Sequence, residues 1–350
     1  MPDGQLDKAY EESSRPRCVI FRPHALAACA TAAVMASLTA CSSTGTFDEV
    51  RPSVTRSDAL VDAMAGPPST NLGAALAQSL EPVLMGGDAR LAVAVLDLDS
   101  ADRKIASYQG DALFTTASIS KVNILAALLL QAQDQGRDLT AEERQAADAM
   151  IRTSDNDAAD FLWAVIGKGE GLDAANERLG LTSTHGGPGN RWGLTRTTAK
   201  DQVRLLQSIF HQGLAGAART REGLDPESKA YIRELMGDIT EGQDWGVSAA
   251  SPRWSLKNGW LQRTTTGRWV INSTGQVTLH GHRYLVSALS SGHTSEQGGI
   301  SLIERAVRAA IDAASAHARH QPTGADAMRP PGSVFRDHPG GRSWRRGTSS

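Results

Sequence analysis

Three short groups in this 350-residue chain bring together a hydroxyl, amines and amide donors at fixed spacings. Ser118 and Lys121 stand three apart in "SISK". Ser154, Asp155 and Asn156 form "SDN". Lys257, Asn258 and Gly259 form "KNG". A serine hydroxyl is a weak nucleophile until a neighbouring base takes its proton. On a helix, a three-residue spacing puts Ser118 and Lys121 on one face, one turn apart. Apart from Asn123, everything after Lys121 in "FTTASISKVNILAALLL" (residues 114–130) is apolar. Such a run supplies a desolvated setting, which depresses a lysine's pKa and lets it act as a base. A second cation, Lys257, would depress it further from close by. A serine at a helix N-terminus also turns its backbone N–H towards developing negative charge. A second donor from an edge strand would complete an oxyanion hole. Plainer accounts stand beside these: Ser118 as a helix cap with a snorkelling Lys121, and "SDN" as an Asx or Ser turn joining two helices.

The elements that must hold these groups follow from pattern. "ARLAVAVLDLD" (residues 89–99) predicts a strand, with "KIASYQG" (104–110) as its hairpin partner. A helical block follows. Thr140 and Glu143 have capping-box spacing ahead of "AEERQAADAMIR". "DAADFLWAVIG" predicts a short helix ending at Gly167, and "TTAKDQVRLLQSIF" a further one led by Thr197. Strands return in "RWSLKNGWLQ", "RWVINSTG" and "RYLVSALSS", and "ISLIERAVRAAIDAA" closes the domain as an amphipathic helix. This order predicts an α+β fold. Its N- and C-terminal strands share one mostly antiparallel sheet, flanked by helices, with the helical block inserted between them.

S-x-x-K, S-D-N and K-x-G in this order, each on its expected element, resemble the signature of class A β-lactamases and penicillin-binding proteins. The resemblance spans roughly residues 72–314. It implies Ser118 as nucleophile, Lys121 as its base and Ser154 as proton relay. The N–H of Trp260 becomes the second oxyanion donor. Asn156 touches the substrate amide or Lys121, Asp155 is structural, Lys257 and Asn258 hold the substrate carboxylate, and Gly259 is a further substrate-binding residue. The implied partner is a β-lactam or a D-Ala-D-Ala-like peptidoglycan peptide, with no cofactor and no metal. Two departures alter the pocket: Asn258 stands where the family usually has a threonine or serine, and Trp260 where it keeps a small residue.

A third departure is an absence. Class A enzymes carry a loop glutamate that activates water against the acyl-enzyme. Residues 178–200 here contain neither Asp nor Glu, and Glu177 belongs to the preceding helical pattern. Slow deacylation is therefore expected. His185 in that loop reads as an exposed turn residue, and "HGGPG" (185–189) as a flexible loop. An α/β-hydrolase reading of "HGGPG" would need a G-x-S-x-G elbow, which the chain lacks. His280 and His282 share a strand face without a third ligand and read as a hairpin turn.

Composition narrows the setting. A formal net charge of -2 argues against nucleic acid as a partner, and no Walker-type or dinucleotide-binding glycine loop is present. The three cysteines, Cys18, Cys29 and Cys41, all lie near the N-terminus. Arg15, Arg17 and Arg22 precede an uncharged run, residues 25–41, that ends in "LTAC". This resembles a bacterial lipobox, against the alternative of a buried alanine-rich helix. The expectation is a signal peptide over residues 1–41 cleaved before a lipidated Cys41, whether translation starts at Met1 or later, for instance at Val19. A flexible tether (42–70), the serine hydrolase domain (71–316) and a disordered tail (317–350) follow. The protein would be an exported monomer, held at the outer face of the cell membrane by its lipid. The rival reading is a non-catalytic envelope lipoprotein that binds wall peptides or β-lactams.

Overall fold

The computed structural model describes residues 71–85, 87–211 and 223–320. The expected signal peptide with Cys41, the tether and nearly all of the C-terminal tail lie outside the described residues. Strand β1 (Arg90–Asp97) is apolar at almost every position and is buried from Leu91 onward. A strand buried on both faces has no need of polar alternation. Its partners are β2 (Ala106–Tyr108) on one side and β7 (His282–His293) on the other, both antiparallel. With β6 (Trp269–Leu279) and β5 (Trp254–Gln262) they make a five-stranded sheet in the order β2-β1-β7-β6-β5. The first and last strands of the chain thus meet in one antiparallel sheet, as the α+β reading requires. His280 and Gly281 both take positive φ in the β6–β7 turn, matching the hairpin reading of that stretch. His282 Nδ1 lies 3.0 Å from Asp97 Oδ2.

Helix α1 (Leu72–Leu84) packs with α8 (Glu296–His320), and α8 covers β1, β6 and β7. Helix α8 runs to His320, four residues past the expected end of the domain at 316. Between the sheet halves stand α2 (Ser120–Asp134), α3 (Ala141–Arg152), α4 (Asn156–Val165), α5 (Lys168–Arg178), α6 (Ala199–Phe210) and α7 (Pro226–Met236). Twelve of the fifteen residues of α2 are buried, which makes it the core helix of this block. The capping box forms at Thr140: its side chain accepts from Glu143 N while the Glu143 carboxylate accepts from Thr140 N. Helix α6 is capped one residue later than expected, by Thr198. Thr197 belongs instead to β4 (Arg196–Thr197), which pairs with β3 (Phe114–Thr115). Two-residue strands are too short to leave a periodic trace.

The loop before α6 corrects another expectation. It is stapled in place and cannot be the flexible segment expected for "HGGPG". His185 pairs with Arg196 through both backbone hydrogen bonds, Gly186 N donates to Asp173 Oδ1 at 2.7 Å, and Trp163 Nε1 donates to Gly189 O at 2.8 Å. Buried Asp201 of α6 accepts from Ser183 N and Thr184 Oγ1 at 2.8 and 2.9 Å. A Cβ on Gly187 would fall 2.0 Å from Arg191 O, so the chain can fold back only with glycine there.

Candidate active site

The Ser118 turn is held from both sides. Ala117–Ile119 forms a 3₁₀ turn ahead of α2, with Ala117 at φ 47, a left-handed conformation that costs an alanine roughly 1–3 kcal/mol. Fully buried Asn272 of β6 donates from Nδ2 to Thr115 O and Thr116 O, each at 2.9 Å, and its Oδ1 accepts from Ser290 N. The edge of β5 closes the other side. A Cβ on Gly259 would lie 2.8 Å from Ser118 N, Ile119 N and Thr116 O. The strand and the turn touch backbone to backbone, an approach that only glycine permits. Trp260 follows directly, its indole edge-on to Trp245 with ring centroids 6.0 Å apart.

One turn past Ser118, Lys121 is fully buried at 0% exposure. Its Nζ donates to Ser154 O at 2.6 Å, Asn156 Oδ1 at 2.8 Å and Ser154 Oγ at 3.2 Å. Two of these bonds run to Ser154 in the α3–α4 connection and one to Asn156, the first residue of α4; none runs to Ser118. That connection is short and sharply turned: Ser154 sits at φ 56, and Asp155 caps α4 by accepting from Ala158 N at 2.7 Å. The Asp155 side chain thus serves the helix start. From β5, Lys257, 1% exposed, donates to the same Ser154 Oγ at 3.0 Å and to Asn258 O at 3.1 Å. A single hydroxyl therefore lies between two buried amines.

Burial, reinforced by the nearby Lys257 ammonium, pushes Lys121 well below the ordinary lysine value. Asp155 and Asp160 pull the other way. Burial lowers Lys257 to about 7. Three acceptors around Lys121 would suit an ammonium, but loss of hydration opposes the charge more strongly. A hydroxyl between two such amines can pass a proton from one side to the other.

The eight residues expected to be catalytic or substrate-binding gather here: Ser118, Lys121, Ser154, Asn156, Lys257, Asn258, Gly259 and the backbone of Trp260. The amide of Asn258 is engaged otherwise than expected. Both hydrogens of its amide are occupied, by Gln243 O at 2.7 Å and Trp245 O at 2.9 Å, so it tethers the segment before β5 and has none left to offer a substrate carboxylate. Sequence reasoning missed Asn272, whose role depends on lying opposite Gly259 in the β5–β6 register. It also missed Trp192, whose indole face lies 4.6 Å from Lys121 Nζ and whose Nε1 donates to Asp160 Oδ1 at 2.6 Å. The available hint was a large aromatic residue in a loop without acids.

The fold agrees with what similarity finds. The extended-spectrum β-lactamase TLA-1 superposes at a TM-score of 0.58, over 69% of this chain and 98% of its own, at 16% identity. The protein PBP-A gives 0.58 over 71% and 99%, at 20% identity. A β-lactamase from Chitinophaga pinensis gives 0.57 over 68% and 99%, also at 20%. At these identities the likeness is one of fold. In sequence, the chain is 26% identical over 239 residues to the protein named "Putative lipoprotein LppW" in Mycobacterium tuberculosis and Mycobacterium bovis, covering 65% of this chain and 71% of that one. The pattern of the beta-lactamase enzyme family, Beta-lactamase2, matches residues 75–145 and 138–314 and so takes in the Ser118, Ser154 and Lys257 groups together. By that match, the chain belongs to the beta-lactamase enzyme family.

Proposed function

We propose that this protein is an exported serine hydrolase, acylated at Ser118 by a β-lactam or a D-Ala-D-Ala-like amide and deacylated slowly. Neutral Lys121, one helical turn away, takes the Ser118 proton as Ser118 Oγ attacks the amide carbonyl. The N–H groups of Ser118 and Trp260 hold the oxyanion. The C–N bond breaks, and Ser154 passes a proton to the departing nitrogen, replenished from Lys121. Asn156 aligns Lys121, Gly259 lets β5 close on the nucleophile, and Lys257, as the ammonium, draws in the substrate carboxylate without help from Asn258. The observation that carries this reading is Ser154 Oγ between two buried lysines, 3.2 and 3.0 Å away. Two ammonium groups sharing one hydroxyl in a dry site favour loss of one proton, which makes a base on one side and leaves an anion receptor on the other.

Intact-mass measurement after exposure to penicillin tests the reading. A covalent adduct that persists for minutes and disappears in Ser118→Ala is expected. No adduct with several β-lactams or a D-Ala-D-Ala peptide ester would support a non-catalytic envelope protein instead. Rapid, sustained turnover of a chromogenic cephalosporin would contradict slow deacylation, which is motivated by the acid-free stretch 178–200. Export and membrane attachment through Cys41 are supported by "LTAC" and by the lipoprotein name of the mycobacterial relatives. Labelled fatty acid should enter the protein and fail to enter Cys41→Ala.

A further inference from the structure

We propose that Asp160 and Trp192 are a positioning pair that sets the proton affinity of Lys121. The inference rests on the reading of Lys121 as the base. Trp192 is buried in the 3₁₀ turn Trp192–Leu194, within the loop that has no acidic residue. Its indole face lies 4.6 Å from Lys121 Nζ. An aromatic face attracts the ammonium and not the neutral amine, and most strongly where water is excluded. The indole is fixed by its Nε1, which donates to Asp160 Oδ1 at 2.6 Å, a short charge-assisted bond. A carboxylate on the N–H also makes the ring more electron-rich, which strengthens its hold on a cation. Asp160 lies on α4, the same helix that supplies Asn156 to Lys121.

The charged groups acting on Lys121 are few. Lys257 faces it from β5, and Asp155 and Asp160 act from the start and the body of α4. Lys257 and burial favour the amine, while Asp155, Asp160 and the indole favour the ammonium. The pair therefore counterweights the desolvation that makes Lys121 a base. It stabilises the ammonium formed once Lys121 has taken the Ser118 proton, so that proton is held for transfer to the leaving nitrogen. The loop meets this lysine with an aromatic face and brings no carboxylate of its own.

The test uses the full chain with ¹³C-labelled lysine. The Lys121 signal, assigned by its loss in Lys121→Arg, is titrated by NMR, and the acylation rate by penicillin is followed across pH. Asp160→Asn keeps an acceptor for the indole N–H but removes the charge. Lys121 should then lose its proton at a pH lower by about one unit, and the rising limb of acylation should move by the same amount. Trp192→Leu, which removes the ring, should shift it as far. Trp192→Phe, which keeps a ring but loses the donor, should shift it less. A Lys121 titration within about 0.2 pH unit of the wild type in Asp160→Asn overturns the proposal. So does a fall in rate at every pH with no movement of the limb, which a merely structural role would give. Asp160 is surface-exposed, so its variant carries the test even where Trp192→Leu fails to fold. If the wild type forms no adduct, the base reading fails on its own, and the NMR titration still decides the pair.

Discussion

Ser154 Oγ accepts from Lys121 at 3.2 Å and from Lys257 at 3.0 Å, and in the proposed reaction the two amines need opposite protonation states. Lys121 must be neutral to act as a base, so acylation should rise with pH as it deprotonates. Lys257 must stay charged to attract a carboxylate, and its value of about 7 means that this attraction fades as pH climbs past neutrality. The second-order acylation constant with penicillin should therefore be bell-shaped, with a falling limb near pH 7 that belongs to the free enzyme. Lys257→Ala should abolish the falling limb and lower the maximum by about 10- to 100-fold, as expected for losing one charged hydrogen bond to the substrate. Stopped-flow measurements from pH 5 to 9 check both features. A falling limb that survives in Lys257→Ala would assign it to another group. Asn258→Ala should leave the apparent affinity for the substrate carboxylate nearly unchanged, since its amide serves Gln243 and Trp245, and should show its cost in thermal stability.

Two strands and one turn, not side chains alone, place Ser118, the proposed nucleophile. Gly259 lets β5 come within backbone contact of the Ser118 turn, and Asn272 on β6 ties Thr115 O and Thr116 O to the sheet. Gly259→Ala must push the strand away from Ser118 N and Ile119 N, none of which is a flexible side-chain end. Acylation should fall by about 10²- to 10³-fold, the usual cost of a lost oxyanion donor. Asn272→Ala leaves buried carbonyls without donors and should cost about 1–3 kcal/mol in denaturant unfolding, with slower acylation. Equal stability to the wild type would show that those carbonyls find other partners. The contrast with the three short motifs explains what was legible from the chain. Ser118, Ser154 and Lys257 sit at the ends or within strongly patterned elements, so the local sequence announces them. Asn272 matters only through its register opposite Gly259, and β3 and β4 are too short to show a period. Trp192 meets Lys121 across 71 positions of sequence, and no local pattern encodes such a meeting. "HGGPG" reads as flexible because glycine and proline mark turns, whereas Gly186 and Gly187 serve close packing against Gly169 and Arg191.

At the scale of the whole molecule, the site sits where the helical block meets the edge of the sheet, so its buried charges weigh on the stability of both. Helix α2 brings Lys121 into the core and β5 brings Lys257, each nearly without solvent contact. The sign of the resulting pH dependence is fixed by Lys257. Its folded value of about 7 lies below the unfolded lysine value of roughly 10.4. Between those values the unfolded chain binds a proton that the folded chain has released, so stability rises with pH across that window. Below pH 7 both states are charged and the penalty is present in full, on the order of 4 kcal/mol. Lys121 is displaced in the same direction and adds to the slope. The raised values of Tyr231 and Tyr284 reverse the trend only where tyrosines ionise, near pH 10. Melting temperature should therefore climb from about pH 6.5 to about 9.5 in the wild type, where a protein without buried lysines would be nearly flat. Lys257→Met, which fills the same space without a charge, should melt higher than the wild type at pH 6.5 and show a shallower climb. Calorimetry of the two proteins across that range reads the difference directly. A variant that melts lower at pH 6.5 would mean that Lys257 stabilises the fold through Ser154 and Asn258 more than its burial costs, and the two-amine picture of the site would lose its energetic basis.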